Sequence, residues 1–179
     1  MDETIDRRGF EELTAFLAAR GLRHAVVEHD QTYTAGAEAR IAAVPPDHAA
    51  KAVMLRDDTG YVLAVVPASE LLDVRKVRRL AARPELRLAT EREMAEDFPH
   101  FEVGALPPFG ELFDCPELID ARLLTEGRIL CNGGDHRHSI IVNAHELWYA
   151  SGARTGNLVA PHPGDDPDVP ARASRPAAR

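Results

Sequence analysis

The chain is short of cysteine, of lysine and of positive charge, and each shortage excludes something. Only two of its 179 residues are cysteine, Cys115 and Cys131, too few for a disulfide scaffold. A reducing cytoplasm is the expected location, and there both are thiols. No uninterrupted apolar run approaches the ~18–20 residues of a membrane span. The acidic start Met1-Asp2-Glu3-Thr4 is unlike a secretory signal. A formal net charge of −8 argues against broad electrostatic coating of DNA or RNA, although a local basic site is compatible with it. Catalytic signatures are missing as well. There is no Gly-x-Ser-x-Gly elbow, no phosphate loop and no dinucleotide fingerprint, and neither cysteine sits in a nucleophile context. The 29 carboxylates are too many for any pair to be singled out. His29, His48, His100, His145 and His162 are scattered and read as surface or capping residues.

What is there fits one domain with a sizeable core. Phe10, Leu13, Phe16 and Leu17 recur at helical spacing, and Gly21 is a natural stop. His24 to His29 is a short strand, and Ala35 to Ala43 a helix that Val44-Pro45-Pro46 ends. Ala50 to Arg56 and Tyr61 to Val66 form a hairpin across Asp57-Asp58-Thr59-Gly60. Leu71 to Ala82 is an amphipathic helix, capped by Asp73 or Ser69. Glu85 to Ala89 reads as a strand, and Thr90 to Glu93 as a capping box opening a short helix before Pro99. Leu112 to Cys115, Arg128 to Asn132, Ser139 to Val142 and Arg154 to Leu158 are further strands, with a helix from Ala144 to Ala150 capped by Asn143. Hairpins interleaved with helices predict an α+β fold with a mixed sheet rather than a doubly wound parallel one. The domain is expected over residues 1–160. Residues 161–179, with five prolines and no aromatic residue, read as a disordered tail.

Three segments invite a chemical reading. Lys51 is one of two lysines, against 19 arginines, and stands inside an apolar strand. Alternation puts it on one face with Val53 and Leu55, and Ala50, Ala52 and Met54 on the other. It is either an edge-strand guard against aggregation or an ammonium pointing into a cleft to hold a phosphate or carboxylate. The loop Gly104 to Gly110 contains Pro107-Pro108, which fix φ and remove two N–H donors. It is either a structural turn or a stiff arch presenting backbone groups to a ligand. Cys131 to Ser139 is a glycine-rich hairpin. It is either structural or ligand-facing through Asn132, the Gly133 and Gly134 amides and Ser139. His136 and His138 lack the further spaced ligands of a zinc site, so no metal is expected.

These segments occur in a telling order. Thr34-Ala35-x-x-Glu38-Ala39 precedes Pro45-Pro46 and Ala50-Lys51-Ala52-Val53. Val66-Pro67 leads into the Leu72-Asp73 helix, and Gly104-x-x-x-Pro108-Phe109-Gly110, the glycine turn and Ser139-Ile140 follow. Over roughly Leu22 to Leu158 the chain resembles the YbaK/ProX family of aminoacyl-tRNA deacylases, related to the editing domain inserted in bacterial prolyl-tRNA synthetases. The resemblance implies a mixed β-sheet or barrel-like domain flanked by helices, and hydrolysis in trans, without metal or cofactor, of the ester on a mischarged tRNA. Lys51 and Gly104 would then be catalytic, with Lys51 at the 3′-terminal nucleotide or the aminoacyl group. Thr34, Pro107, Pro108, Asn132, Gly133, Gly134 and Ser139 would bind substrate. A ribose hydroxyl or substrate side chain often assists catalysis in such proteins, which would account for the missing nucleophile. The implied partners are the acceptor end of mischarged tRNA and an aminoacyl-tRNA synthetase, with no DNA and no membrane. Arg75, Lys76, Arg78, Arg79 and Arg83 are either a basic rim for that tRNA or a solvated helix face. The alternative is a non-catalytic module that keeps the fold and binds a small ligand or a protein.

Overall fold

The structure is a computed structural model, and it describes residues 8–162. The expected tail therefore lies, from residue 163 on, outside the described residues. Helix α1 (Arg8–Ala19) buries Leu13 and Leu17 completely, and the chain turns away from it at Gly21. Strand β1 (His24–Glu28) follows, and then α2 (Ala35–Ile41), whose first turn is capped by the Thr34 hydroxyl accepting from the Ala37 amide at 3.1 Å. Strands β2 (Ala50–Asp57) and β3 (Gly60–Pro67) pair antiparallel along their whole length across the predicted turn. Helix α3 (Val74–Ala81) is capped by Asp73, and α4 (Glu91–Asp97) opens on the capping box of Thr90 and Glu93. Strands β4 (Arg87–Leu88), β5 (Glu117–Asp120), β6 (Arg128–Asn132), β7 (His138–Asn143) and β8 (Arg154–Gly156) and helix α5 (Ala144–Ser151) complete the chain.

The strands form two sheets and need no closed barrel. One is antiparallel, in the order β1-β7-β6; the other is mixed, in the order β4-β2-β3-β5-β8, with β5 parallel to both its neighbours. A bridge from Ala49 to Leu130 joins them. The α+β reading with mixed pairing is thus the observed architecture. The main core, including Leu13, Met54, Phe109, Ile119, Ile140 and Leu147, fills one face of the mixed sheet. A second core packs Leu55, Val62, Ala64 and Val66 against Val77 of α3 and Leu86. Alternate residues of β2 enter different cores, as a period of two requires.

Three expected strands are corrected. Leu112 to Cys115 is no strand: Gly110–Phe113 is a 3-10 turn that buries Phe113, and Asp114 takes a left-handed φ of 48°. The strand begins after Pro116 and carries a carboxylate at each end. Both carboxylates are buried and each is held by backbone amides, although one Glu117 oxygen has no partner. Glu117 accepts from the Gly110 amide at 2.9 Å, and Asp120 accepts from Arg122 at 3.0 Å and Leu158 at 2.7 Å. The expected strand Glu85 to Ala89 keeps only Arg87–Leu88 in regular pairing, since the capping box at Thr90 turns the chain into α4. The last strand stops at Gly156 rather than Leu158.

Candidate functional site

A cavity of about 290 Å³ lies along β2 where β4 breaks away from it. That volume sits at the lower end of small-ligand pockets, roughly 300–1,000 Å³. Lys51, Ala52, Val53 and Met54 form one wall. Leu88, Ala89 and Met94 stand opposite, while Tyr33, Thr34, Gly104, Leu106 and Asn132 come from three other segments. A larger groove of about 580 Å³ runs beside the β2–β3 turn, and all of its cations are tied to carboxylates. Arg87 binds Glu93 at 2.7 Å and Asp57 is held by Arg83. The smaller cavity instead gathers Lys51, Gly104 and Asn132 from three separate segments.

Lys51 is half-buried, and its ammonium donates to the Glu70 carbonyl at 2.8 Å. Burial lowers its affinity for a proton, and the nearby Glu70 carboxylate works against that. The lysine is therefore no solvated guard on a strand edge. It lines the cavity together with Gly104 and Asn132, and its head is parked on a backbone oxygen that a stronger acceptor can displace. Gly104 makes the arch turn: its φ is +89°, a conformation that side chains with a Cβ rarely adopt. Phe109 anchors the far end of that arch in the core.

Asn132 is held from behind. Its side-chain amide donates to Glu38, whose other carboxylate oxygen accepts from the Ser139 hydroxyl at 3.0 Å. Ser139 meets His29 Nε2 at 2.9 Å, and His29 Nδ1 lies 2.8 Å from the Asp30 carbonyl. All four side chains are buried. Burial pushes the Glu38 carboxyl above its usual range, opposed first by the hydrogen bond from Ser139. This chain fixes the Asn132 amide nitrogen on Glu38 and so turns its carbonyl oxygen to the other side. His29, expected at the surface, is a core member of this network. The correction has a plain cause: strand β1 continues beside the β7 hairpin, and the His29 amide donates to the Arg137 carbonyl at 2.9 Å.

Most of the other expected residues support the site without lining it. Pro107 and Pro108 are buried in the arch. Gly133 lies against the His138 backbone, and a Cβ on Gly134 would fall 2.7 Å from Gly9 of α1. Ser139 is fully buried and acts through Glu38. Thr34 lines the cavity, but its hydroxyl is engaged as the α2 cap. The two histidines part company. His138 Nδ1 is 2.7 Å from Asp135 and its ring stacks on Phe10, whereas His136 Nε2 is 3.0 Å from the Val103 carbonyl and its ring meets Tyr33. Of the candidate basic rim, four cations are tied down. Arg75 binds Asp73, Lys76 binds Asn157 and the Val159 carbonyl, Arg78 binds the Leu86 carbonyl and Arg83 binds Asp57. Burial pushes the Cys115 thiol up to about 12 and raises the Cys131 thiol as well, so neither is a ready nucleophile.

Residue-by-residue reading missed Tyr33, Met94, Leu88 and Ala89. Tyr33 had one signal, an aromatic ring immediately before a helix cap. The others line the cavity only because β4 stops where it does.

Residues 29–148 match the family model described as the aminoacyl-tRNA editing domain. Among solved structures, one protein proposed as a trans-editing enzyme for prolyl tRNA synthetase is 28% identical, with a TM-score of 0.76 over 86% of this chain and 98% of that one. Two others share the fold. One is the hypothetical protein APE2540 (23% identity, TM-score 0.76, 83% of this chain and 99% of that one). The other comes from work on computational grafting of linear epitopes onto scaffold proteins (24% identity, TM-score 0.75, 86% and 98%). No curated protein matches the chain.

Proposed function

Because the chain belongs to the aminoacyl-tRNA editing domain family, we propose that it hydrolyses the ester of a mischarged tRNA in trans, with the terminal adenosine and its aminoacyl group in the β2 cavity. The observation that carries this reading is the convergence of Lys51, Gly104 and Asn132, from three distant segments, on one cavity of about 290 Å³, a size that suits the end of an aminoacylated strand and not a duplex. Water adds to the ester carbonyl carbon and the bond to the ribose oxygen breaks. The free amino acid leaves, and a proton from the water ends on the ribose hydroxyl.

An activated ester asks little of the protein beyond placement and a home for negative charge. Lys51 supplies a cation on leaving the Glu70 carbonyl. The Gly104 arch supplies oriented backbone groups, and the Asn132 oxygen an acceptor. A neighbouring ribose hydroxyl serves as proton relay, since among the described residues no histidine or carboxylate lines the cavity. The substrate partner is the acceptor end alone, which a chain of net charge −8 can tolerate, and a prolyl-tRNA synthetase is the proposed source of mischarged tRNA. The domain is proposed to span residues 1–160.

The test is a panel of mischarged tRNAs, including Ala-tRNA(Pro), Cys-tRNA(Pro) and Ser-tRNA species, assayed for release of the amino acid. At least one is cleaved, and Lys51→Ala removes most of that activity. Binding without turnover across the panel would replace this reading with a non-catalytic module.

A further inference from the structure

The β2 edge inside the cavity carries a second recognition element, made of backbone alone. In the β2–β3 ladder, alternate residues of β2 direct their N–H and C=O away from β3. Met54 is one of these, because its carbonyl accepts the Ala89 amide at 2.9 Å on the β4 side. Ala52, two residues earlier, therefore turns both its N–H and its C=O the same way. The position opposite it is where β4 would continue. The chain leaves at Thr90, whose capping box with Glu93 starts α4, and the space left behind is the cavity. Among the described residues no backbone or side-chain hydrogen bond of Ala52 toward that space is present.

We infer that the aminoacyl group of the substrate takes the vacant strand position and pairs with Ala52 as a single antiparallel residue. Its α-ammonium donates to the Ala52 carbonyl, and its ester carbonyl accepts from the Ala52 N–H. This deepens the deacylase reading above and rests on it. Two consequences follow from strand geometry. The Ala52 amide becomes a donor to the oxygen on which charge develops, alongside Lys51 and the Gly104 arch. In addition, residues paired across strands send their side chains to the same face. An L-aminoacyl side chain then falls on the Met54 side of β2, against Met54 and Leu106, both cavity-lining and apolar. A D-aminoacyl group paired in the same way would turn its side chain elsewhere.

The decisive experiment replaces the peptide N–H of Ala52 by an ester oxygen, incorporating lactic acid at that position by suppressor-tRNA translation of the full chain. This keeps the shape and deletes one donor. On a mischarged tRNA that the parent cleaves, kcat is expected to fall about 10²- to 10³-fold, the loss typical of one oxyanion donor. A rate within threefold of the parent overturns the pairing while leaving the deacylase reading intact. If the parent cleaves nothing in the panel, it is the deacylase reading that has failed. Should the ester variant not fold, the parent decides the matter by amide exchange. Adding an amide-linked, non-hydrolysable alanyl-adenosine is expected to protect the Ala52 amide selectively, and unchanged exchange at Ala52 under saturation refutes the pairing.

Discussion

Glu117 is the buried group whose charge costs the fold most clearly, and replacing it by glutamine isolates that cost. One carboxylate oxygen accepts the Gly110 amide at 2.9 Å; the other is buried without a partner. Burial raises this carboxyl from 4.5 to about 7. In the unfolded chain it titrates near its ordinary value, so between roughly pH 4.5 and 7 the folded state binds the extra proton. Stability contributed by this group is therefore full below about pH 4.5 and is lost as pH rises toward 7. The loss is on the order of 3 kcal/mol, at 1.36 kcal/mol for each tenfold change in proton affinity. Glu117→Gln has nearly the same shape and keeps an acceptor for Gly110 but cannot ionise. Urea unfolding of parent and variant at pH 5, 6, 7 and 8 is expected to give nearly equal stabilities at pH 5. The variant then gains progressively, by about 3 kcal/mol at pH 8, equivalent to roughly 6–12 °C in Tm for a domain of this size. The Cys115 thiol does not interfere, being held up to about 12. A difference between the two proteins that stays constant with pH would refute the reasoning.

Glu38→Ala strands the buried Asn132 amide and leaves the Ser139 hydroxyl with His29 alone. It is expected to cost about 2–4 kcal/mol in chemical denaturation, and to lower deacylation more than Ser139→Ala does, because Asn132 then loses its orientation. Gly104→Ala has room, the nearest neighbour of the new Cβ being His136 Cε1 at 3.6 Å, but its φ of +89° opposes a Cβ. The expected result is a stability loss of only about 1–2 kcal/mol with a disproportionate fall in kcat, measured on the same preparation. Gly134→Ala is the converse: its Cβ would press on the Gly9 backbone at 2.7 Å, so thermal unfolding should show a loss of about 2–4 kcal/mol, and activity per folded molecule should change little.

Local chemistry wrote most of the secondary structure. The caps at Thr34, Asp73, Thr90 and Asn143 and the turn at Asp57-Asp58-Thr59-Gly60 all form where their residue types demand, because the hydrogen bonds that make them span only two or three residues. The order of motifs was enough to point to the family. Strand β5 was illegible for the opposite reason. Its end carboxylates look solvated, and the backbone amides that hold them in the interior come from outside the strand, from Gly110 and from Leu158, 38 residues beyond Asp120. The same holds for His29 and Ser139, 110 residues apart in sequence and 2.9 Å apart in space.

By itself, then, the sequence determined the caps, the β2–β3 turn and most of the helices and strands, and which lysine and which glycine arch stand out, since those are properties of neighbouring residues. The tertiary structure alone decided that the lysine head rests on Glu70 and that Glu38 steers Asn132. It alone decided that the two prolines and the glycine turn brace the pocket rather than line it. Where β4 parts from β2 it also made the cavity, for a space is set by which distant backbones fail to meet, and no local pattern encodes that.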